Sequence, residues 1–254
     1  MGQEMKFHWM LKKNLNPKDL KTLSKVIDFY KYDSMLLTFH SDESDYWIKA
    51  AHAINTEDKV KYMIAIRPYA ITAAYCSMMI DAFNEIEPNR ISLNIIAGTH
   101  DDDQALFCIP TSIEDRKKQS ALFVERLRSV NKNCPEIFFS GSSKETAESV
   151  AKFGDGQIVT LSKFDELGSQ GGRTIVRLSA IVDDRAKFIY DGMPEGKEKN
   201  NTIFGNKEEI KNQIKHLENQ GVTDILISNT SFGTNDSNIH QVVLEILGED
   251  SASL

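Results

Sequence analysis

The sequence predicts an α/β protein, a closed (β/α)8 TIM barrel. Three observations carry that prediction. Short apolar segments alternate with helix-period segments along the chain, which is the pattern of a parallel sheet. Eight such strands can be read, enough to close a barrel rather than leave an open sheet. The length of 254 residues suits one such barrel, and no linker divides residues 1–254 into two domains.

The elements follow in order. Lys6–Leu11 reads as a strand, with Phe7, His8 and Trp9 at its exit. Asn16-Pro17 opens a helix, because asparagine caps and proline suits the first turn. Leu20, Leu23, Val26, Ile27 and Tyr30 recur at helical spacing on its inner face. Ser34–Phe39 is a short buried strand, and Asp45–Ile54 a helix. Val60–Ile66 is apolar and is stopped by Arg67-Pro68, since proline lacks a backbone donor and restricts its predecessor. Ile71, Ala74, Tyr75, Met78, Met79, Ala82 and Phe83 form the next helical face. Asn89-Arg90 turns the chain into strand Ile91–Ile96, which ends in Ala97-Gly98-Thr99.

His100–Pro110 is an acidic loop, and Thr111–Val130 a charged helix. Glu136–Phe139 is a strand, Lys144–Phe153 a helix, Gly156–Thr160 a strand and Lys163–Gly168 a short helical turn. Arg173–Val182 is a strand rich in β-branched residues, and Asp183–Tyr190 starts a helix. Asp191–Asn201 reads as a mobile loop. Helix Asn206–Gln220, strand Thr223–Ser228 and helix Asn238–Leu247 complete the alternation.

Composition narrows the function. A net charge of −7 argues against nucleic acid as a partner. No apolar run is long enough for a membrane span, and the N-terminus lacks a signal pattern. Cys76, Cys108 and Cys134 are odd in number and widely spaced, which suits a reducing cytoplasm and no zinc motif. His100 before Asp101-Asp102-Asp103 matches no common metal loop, so no metal is expected.

In a parallel barrel the active site lies at the carboxyl ends of the strands. Ser140-Gly141-Ser142-Ser143 stands between a strand and a helix. Glycine lets backbone approach a ligand, and a helix start offers free N–H groups to a phosphate. A serine cap without a ligand has the same pattern. Asn94 and Arg177 interrupt otherwise apolar strands. A buried polar side chain without a partner costs about 1–3 kcal/mol, so each implies a neighbour, a cavity or a ligand. Arg67 is either a rim residue or a ligand contact. His8 beside Trp9 either contacts a planar ligand or packs.

These segments together resemble a known family. Tyr62-Met63-Ile64-Ala65-Ile66-Arg67-Pro68, a helix, and then Asn89–Gly98 resemble the bacterial luciferase-like flavin-dependent monooxygenases, nearest their alkanesulfonate monooxygenase branch. Asp45-Tyr46-Trp47 is similar to the start of that family's second helix. Phe138–Ser143 is similar to its phosphate-side segment, and Phe204–Ile210 with Gly221–Asp224 to its last unit. The resemblance implies a luciferase-like barrel using reduced FMN, delivered by a separate flavin reductase, and molecular oxygen to oxidise a substrate. By position, Asn94 and Thr99 would contact the flavin. Ser140, Gly141, Ser142 and Ser143 would hold its phosphate, and Ile66 and Arg67 would line its ring edge. His8 and Trp9 would face the substrate, and Arg177 would steady negative charge. It further implies a homodimer, beside the cytoplasmic setting that the cysteines suggest.

Three positions depart from the alkanesulfonate pattern. Ser179 stands where those enzymes have a histidine, Glu43 stands near their active-site cysteine, and Asn229-Thr230-Ser231-Phe232 replaces a glycine–tyrosine–proline–histidine segment. The loops are shortened, which suggests an open site that a large or carrier-tethered substrate would fit; the substrate class expected is a small organic or carrier-tethered molecule. A deazaflavin-dependent oxidoreductase, a non-catalytic flavin-binding homologue and an unrelated phosphate-binding barrel are the alternatives.

Overall fold

The structure is a computed structural model that describes residues 5–11, 15–40, 44–54, 58–98, 112–168, 172–228 and 236–248. Thr99, Glu43, Cys108, His100–Asp103 and Asn229–Phe232 lie outside the described residues.

Strands β1 (Lys6–Leu11), β2 (Ser34–Leu37), β3 (Lys61–Ile66), β4 (Ile91–Ile96), β5 (Ile137–Ser140), β6 (Gly156–Thr160) and β7 (Arg173–Val182) pair in parallel in chain order. Two more follow, β8 (Thr202–Gly205) and β9 (Asp224–Ser228). β9 pairs with both β7 and β1 and closes an eight-stranded barrel, so β8 stands outside the closed ring. The sequence reading missed β8. Its four residues, Thr-Ile-Phe-Gly, follow the segment read as a mobile loop, which instead ends in a 3₁₀ turn at Lys199–Asn201. β7 has ten residues, and its carboxyl half extends past β6, leaving Ser179–Val182 for β8 to pair with.

Helices α1 (Pro17–Phe29), α2 (Tyr46–Ala53), α3 (Ala73–Ile86), α4 (Ile113–Val130), α5 (Lys144–Phe153), α6 (Leu161–Leu167), α7 (Ala186–Asp191), α8 (Lys207–Asn219) and α9 (Asp236–Ile246) follow their strands. Their starts are written in the sequence. Asn16, Asp45, Thr72, Ser112 and Ser143 each accept a first-turn amide, and Asn206 with Glu209 forms a reciprocal capping box. Asn89 turns the chain in the left-handed region at φ +61°, which asparagine tolerates better than most residues. Arg90 beyond it is buried against Asp58 and donates from Nε to the Val60 carbonyl at 3.0 Å.

Alternation along each strand divides the core in two. Outward residues such as Phe7, Trp9, Tyr62, Ile64, Ile66, Leu93, Ile95 and Phe139 pack beneath the helices. Inward residues Leu36, Met63, Ala65, Phe138, Ile158, Ile175 and Leu226 fill the axis, with Met10, Phe39 and Ile96 on them. The barrel is therefore a packed core, as layered inward side chains require.

Candidate functional site

At the amino end of the barrel the inward residues are charged and paired. His8 bonds through Nδ1 to Ser34 Oγ at 2.7 Å and through Nε2 to Asp224 Oδ1 at 2.9 Å. Arg173 donates from Nε and Nη2 to the Asp224 carboxylate at 2.6–3.1 Å and from Nη1 to Glu136 at 2.5 Å. It also lies 4.8 Å from the Phe138 ring centroid. Burial opposes the charge on Asp224, but hydrogen bonds from His8 and Arg173 outweigh it and hold the carboxyl well below its usual range.

This network corrects one sequence-based placement. Phe7, His8 and Trp9 are not at the exit of β1 but among its first four residues. Both ring nitrogens of His8 are engaged in the closed end. Trp9 faces the helices, edge-on to Tyr32 and 4.7 Å from the ring of His240. The cause is the two-residue period of the strand, which turns a tryptophan out when its neighbour histidine turns in.

At the carboxyl end the inward residues are polar and less satisfied. Asn94 is 2% exposed on β4, and Ser140 at the end of β5 donates to its Oδ1 at 2.8 Å. Among the described residues its amide nitrogen has no hydrogen-bond partner. Arg177 on β7 sits in register with Thr160 of β6 and Leu226 of β9. Among the described residues it makes no hydrogen bond or ion pair, and burial pushes its guanidinium below the usual value. Ser179, one inward step further, exchanges a 2.9 Å hydrogen bond with Ser228.

Arg67 follows β3, 6% exposed, with Nη1 donating to Tyr69 Oη at 2.9 Å and its guanidinium 5.0 Å from the Phe39 ring centroid. Gly98 lies against this pair at φ +77°. A Cβ there would stand 2.6 Å from Tyr69 Oη, so a glycine is needed for both backbone and space. Its carbonyl accepts from Arg116 Nη2 at 3.2 Å. Ile66, one residue earlier, faces the helices instead of the axis.

The Ser140–Ser143 segment is a strand-to-helix turn. Gly141 has φ +138° and gives its N–H to the Ile158 carbonyl at 3.0 Å while its own carbonyl accepts from Gln157 at 2.6 Å. A Cβ on it would stand 3.1 Å from Thr146 Oγ1. Ser143 caps α5 by accepting the Thr146 amide at 3.3 Å. The Glu145 carboxylate folds back onto this helix start. The Ser143 hydroxyl, its own amide and Lys117 (3.3 Å away) together hold it down to about 2.

Asn94, Ser140 and Arg177 therefore share the inner carboxyl end, with Gly141–Ser143 on its rim. Ile66 and Trp9 point elsewhere, and His8 lies at the opposite end. Sequence reasoning missed a cleft of about 770 Å³ between α2 and α3, reaching Phe39, Ala65 and Arg67. It also missed the Arg173–Asp224–Glu136 network, whose signal was a charge at or just before the start of three strands. Among the described residues no three His, Cys, Asp or Glu are arranged to hold a metal, and no helix is long and apolar enough to cross a membrane.

No family model matches the sequence. Solved structures do match in fold. The EDTA monooxygenase EmoA from Chelativorans sp. BNC1 superposes with a TM-score of 0.76 at 9% identity, over 96% of this chain and 94% of that one. The long-chain alkane monooxygenase LadA gives 0.75 at 8% identity, over 98% and 93%. An F420-dependent secondary alcohol dehydrogenase, in complex with an F420-acetone adduct, gives 0.73 at 13% identity, over 96% and 99%. At these identities the likeness shows the fold alone, a TIM barrel. It spans both monooxygenases and F420-dependent enzymes and gives no support to the narrower alkanesulfonate branch.

Proposed function

We propose that this chain is a flavin-dependent oxidoreductase acting as the oxygenating component of a two-component monooxygenase. The observation that carries the reading is Arg177, a guanidinium set inside the barrel wall with no counter-charge among the described residues. Withdrawing such a charge partly from water has a cost, which a ligand carrying negative charge would offset. The unpartnered amide nitrogen of Asn94 at the same end fits an acceptor on that ligand.

Reduced FMN, when bound, supplies the electrons with which molecular oxygen oxidises the substrate. The chain's part is positioning. Ser140 fixes the Asn94 amide so that it donates to a ring heteroatom. The turn Gly141-Ser142-Ser143 brings backbone close to a phosphate, and Thr99, outside the described residues, is assigned with Asn94 to the ring and ribityl side. Arg67 borders the ring from the β3 side, and the adjacent Ile66, turned toward the helices, takes no part in this scheme. Arg177 holds negative charge that develops during the reaction. His8 and Trp9, placed as they are, have no part in this scheme. A separate flavin reductase, a small or carrier-tethered substrate, a homodimer and a cytoplasmic setting belong to the same reading.

Parallel anaerobic titrations with reduced FMN and reduced F420 test it. Reduced FMN is expected to bind, and Asn94→Ala to weaken it by about 10-fold, the loss of one buried hydrogen bond. Binding of neither cofactor would sink the proposal. Tighter binding of F420 favours the second reading, hydride transfer, which the likeness to F420-dependent enzymes supports.

A further inference from the structure

The cleft between α2 and α3 belongs to no step described so far. Its origin is a packing choice. α2 leans chiefly on α1, and α3 leans chiefly on α4, so the two meet only weakly and a gap opens between them. The gap measures about 770 Å³, within the range of small-molecule sites. It is continuous with the barrel axis, because Phe39 and Ala65 belong both to its lining and to the inner core.

Its chemistry is lopsided. Phe39, Tyr46, Trp47, Tyr75 and the imidazole of His40 line it, with mostly aliphatic side chains between them. Charge is sparse. Arg67 is buried at the inner end, with its guanidinium against Phe39. Among the described lining residues Asp45 is the one acid, and its Oδ1 already accepts the amides of Trp47 and Ile48 at 2.9 and 3.2 Å. The interior is therefore an aromatic slot with a cation at its inner end. Guanidinium is the side chain best shaped for a carboxylate.

The geometry points to this cleft as the substrate compartment, taking a flat aromatic carboxylate with its ring between α2 and α3 and its acid toward Arg67. The inference rests on the oxidoreductase reading only for the word substrate; the binding it predicts does not need a flavin. Calorimetric titration without flavin, using 2-naphthoate and its neutral counterpart 2-naphthamide, is the test.

Wild type is expected to prefer 2-naphthoate by about 10-fold, the worth of one charge-assisted hydrogen bond. Arg67→Met should bring the two probes within about twofold of each other. That ratio is insensitive to a partly unfolded sample, since both probes meet the same folded fraction. Ile71→Trp, which fills the slot from the α3 side, should weaken 2-naphthoate by about 10-fold and leave the reduced FMN titration unchanged. Met79→Trp serves the same purpose if the first variant melts early by circular dichroism. Equal affinity for the two probes in wild type, or full affinity in both slot-filling variants, overturns the proposal. So does a wild type that ignores 2-naphthoate while Ile71→Trp converts a dimer to a monomer in sedimentation, because the slot then belongs to a second copy. Loss of FMN binding with 2-naphthoate binding intact would remove the flavin reading and leave the compartment standing.

Discussion

The two ends of this barrel carry the same kinds of residue and use them in opposite ways. At the amino end an inward arginine, Arg173, meets two carboxylates, and the histidine beside them has both nitrogens engaged. At the carboxyl end an inward arginine, Arg177, two strand steps along the same strand, meets none among the described residues. Arg173 and Arg177 are both on β7 and point the same way, since their spacing is even. What separates them is the company supplied by neighbouring strands. β9 offers Asp224 at its start and Leu226 two residues on. A paired charge on the barrel wall is structure, while one without a partner among the described residues is, in the proposed reading, a place kept for a ligand.

The largest effect should come from breaking the closed end. Arg173→Met leaves Asp224 buried without its main partner, and we expect a loss of about 3–5 kcal/mol in urea unfolding. A loss no greater than that of Arg177→Met would end the contrast between the two arginines.

Acid titration should separate the regions next. Buried His240, outside the barrel wall, is pushed down from 6.5 to about 4 by burial. The unfolded chain therefore takes up this proton first as pH falls. Stability is whole above about 6.5 and declines between 6.5 and 4, by an amount on the order of 3 kcal/mol. His240→Phe should flatten that limb in pH-dependent unfolding. The closed end contributes below it. Asp224 is held under the ordinary carboxylate value of 3.8, so its share persists above that value and is lost only as pH falls further.

The open end should show the smallest change in stability and a change in function. Arg177→Met is expected to alter unfolding by less than about 1 kcal/mol, because no partner is left behind. With the cofactor and substrate of the proposed reaction it should cost about 100-fold in kcat, the scale of one lost electrostatic contact. Steady-state kinetics beside thermal melts would show whether the two effects part.

Much of the architecture could be read from residues alone. Caps at Asn16, Asp45, Ser143 and Asn206 set helix starts, and the strands of the closed ring were found within a residue or two. β8 escaped because four residues after a polar stretch carry too little periodicity, and their strand character comes from the exposed edge of β7. The site was legible in part. Asn94 and Arg177 stood out as polar breaks in apolar strands, and the structure gives both an inward direction. Trp9 could not be placed, because one step of register decides which face a strand residue shows. The α2–α3 cleft could not be seen at all, since it depends on how two helices lean, which neither helix's own sequence states.

The length of β7 has a further consequence. Its ten residues, flanked above the ring by β8, face β3 across the barrel, beside which β2 has only four. Strand pairing therefore runs further along the barrel axis at β7 than at β2, and the added strand β8 stands over the β6 side alone.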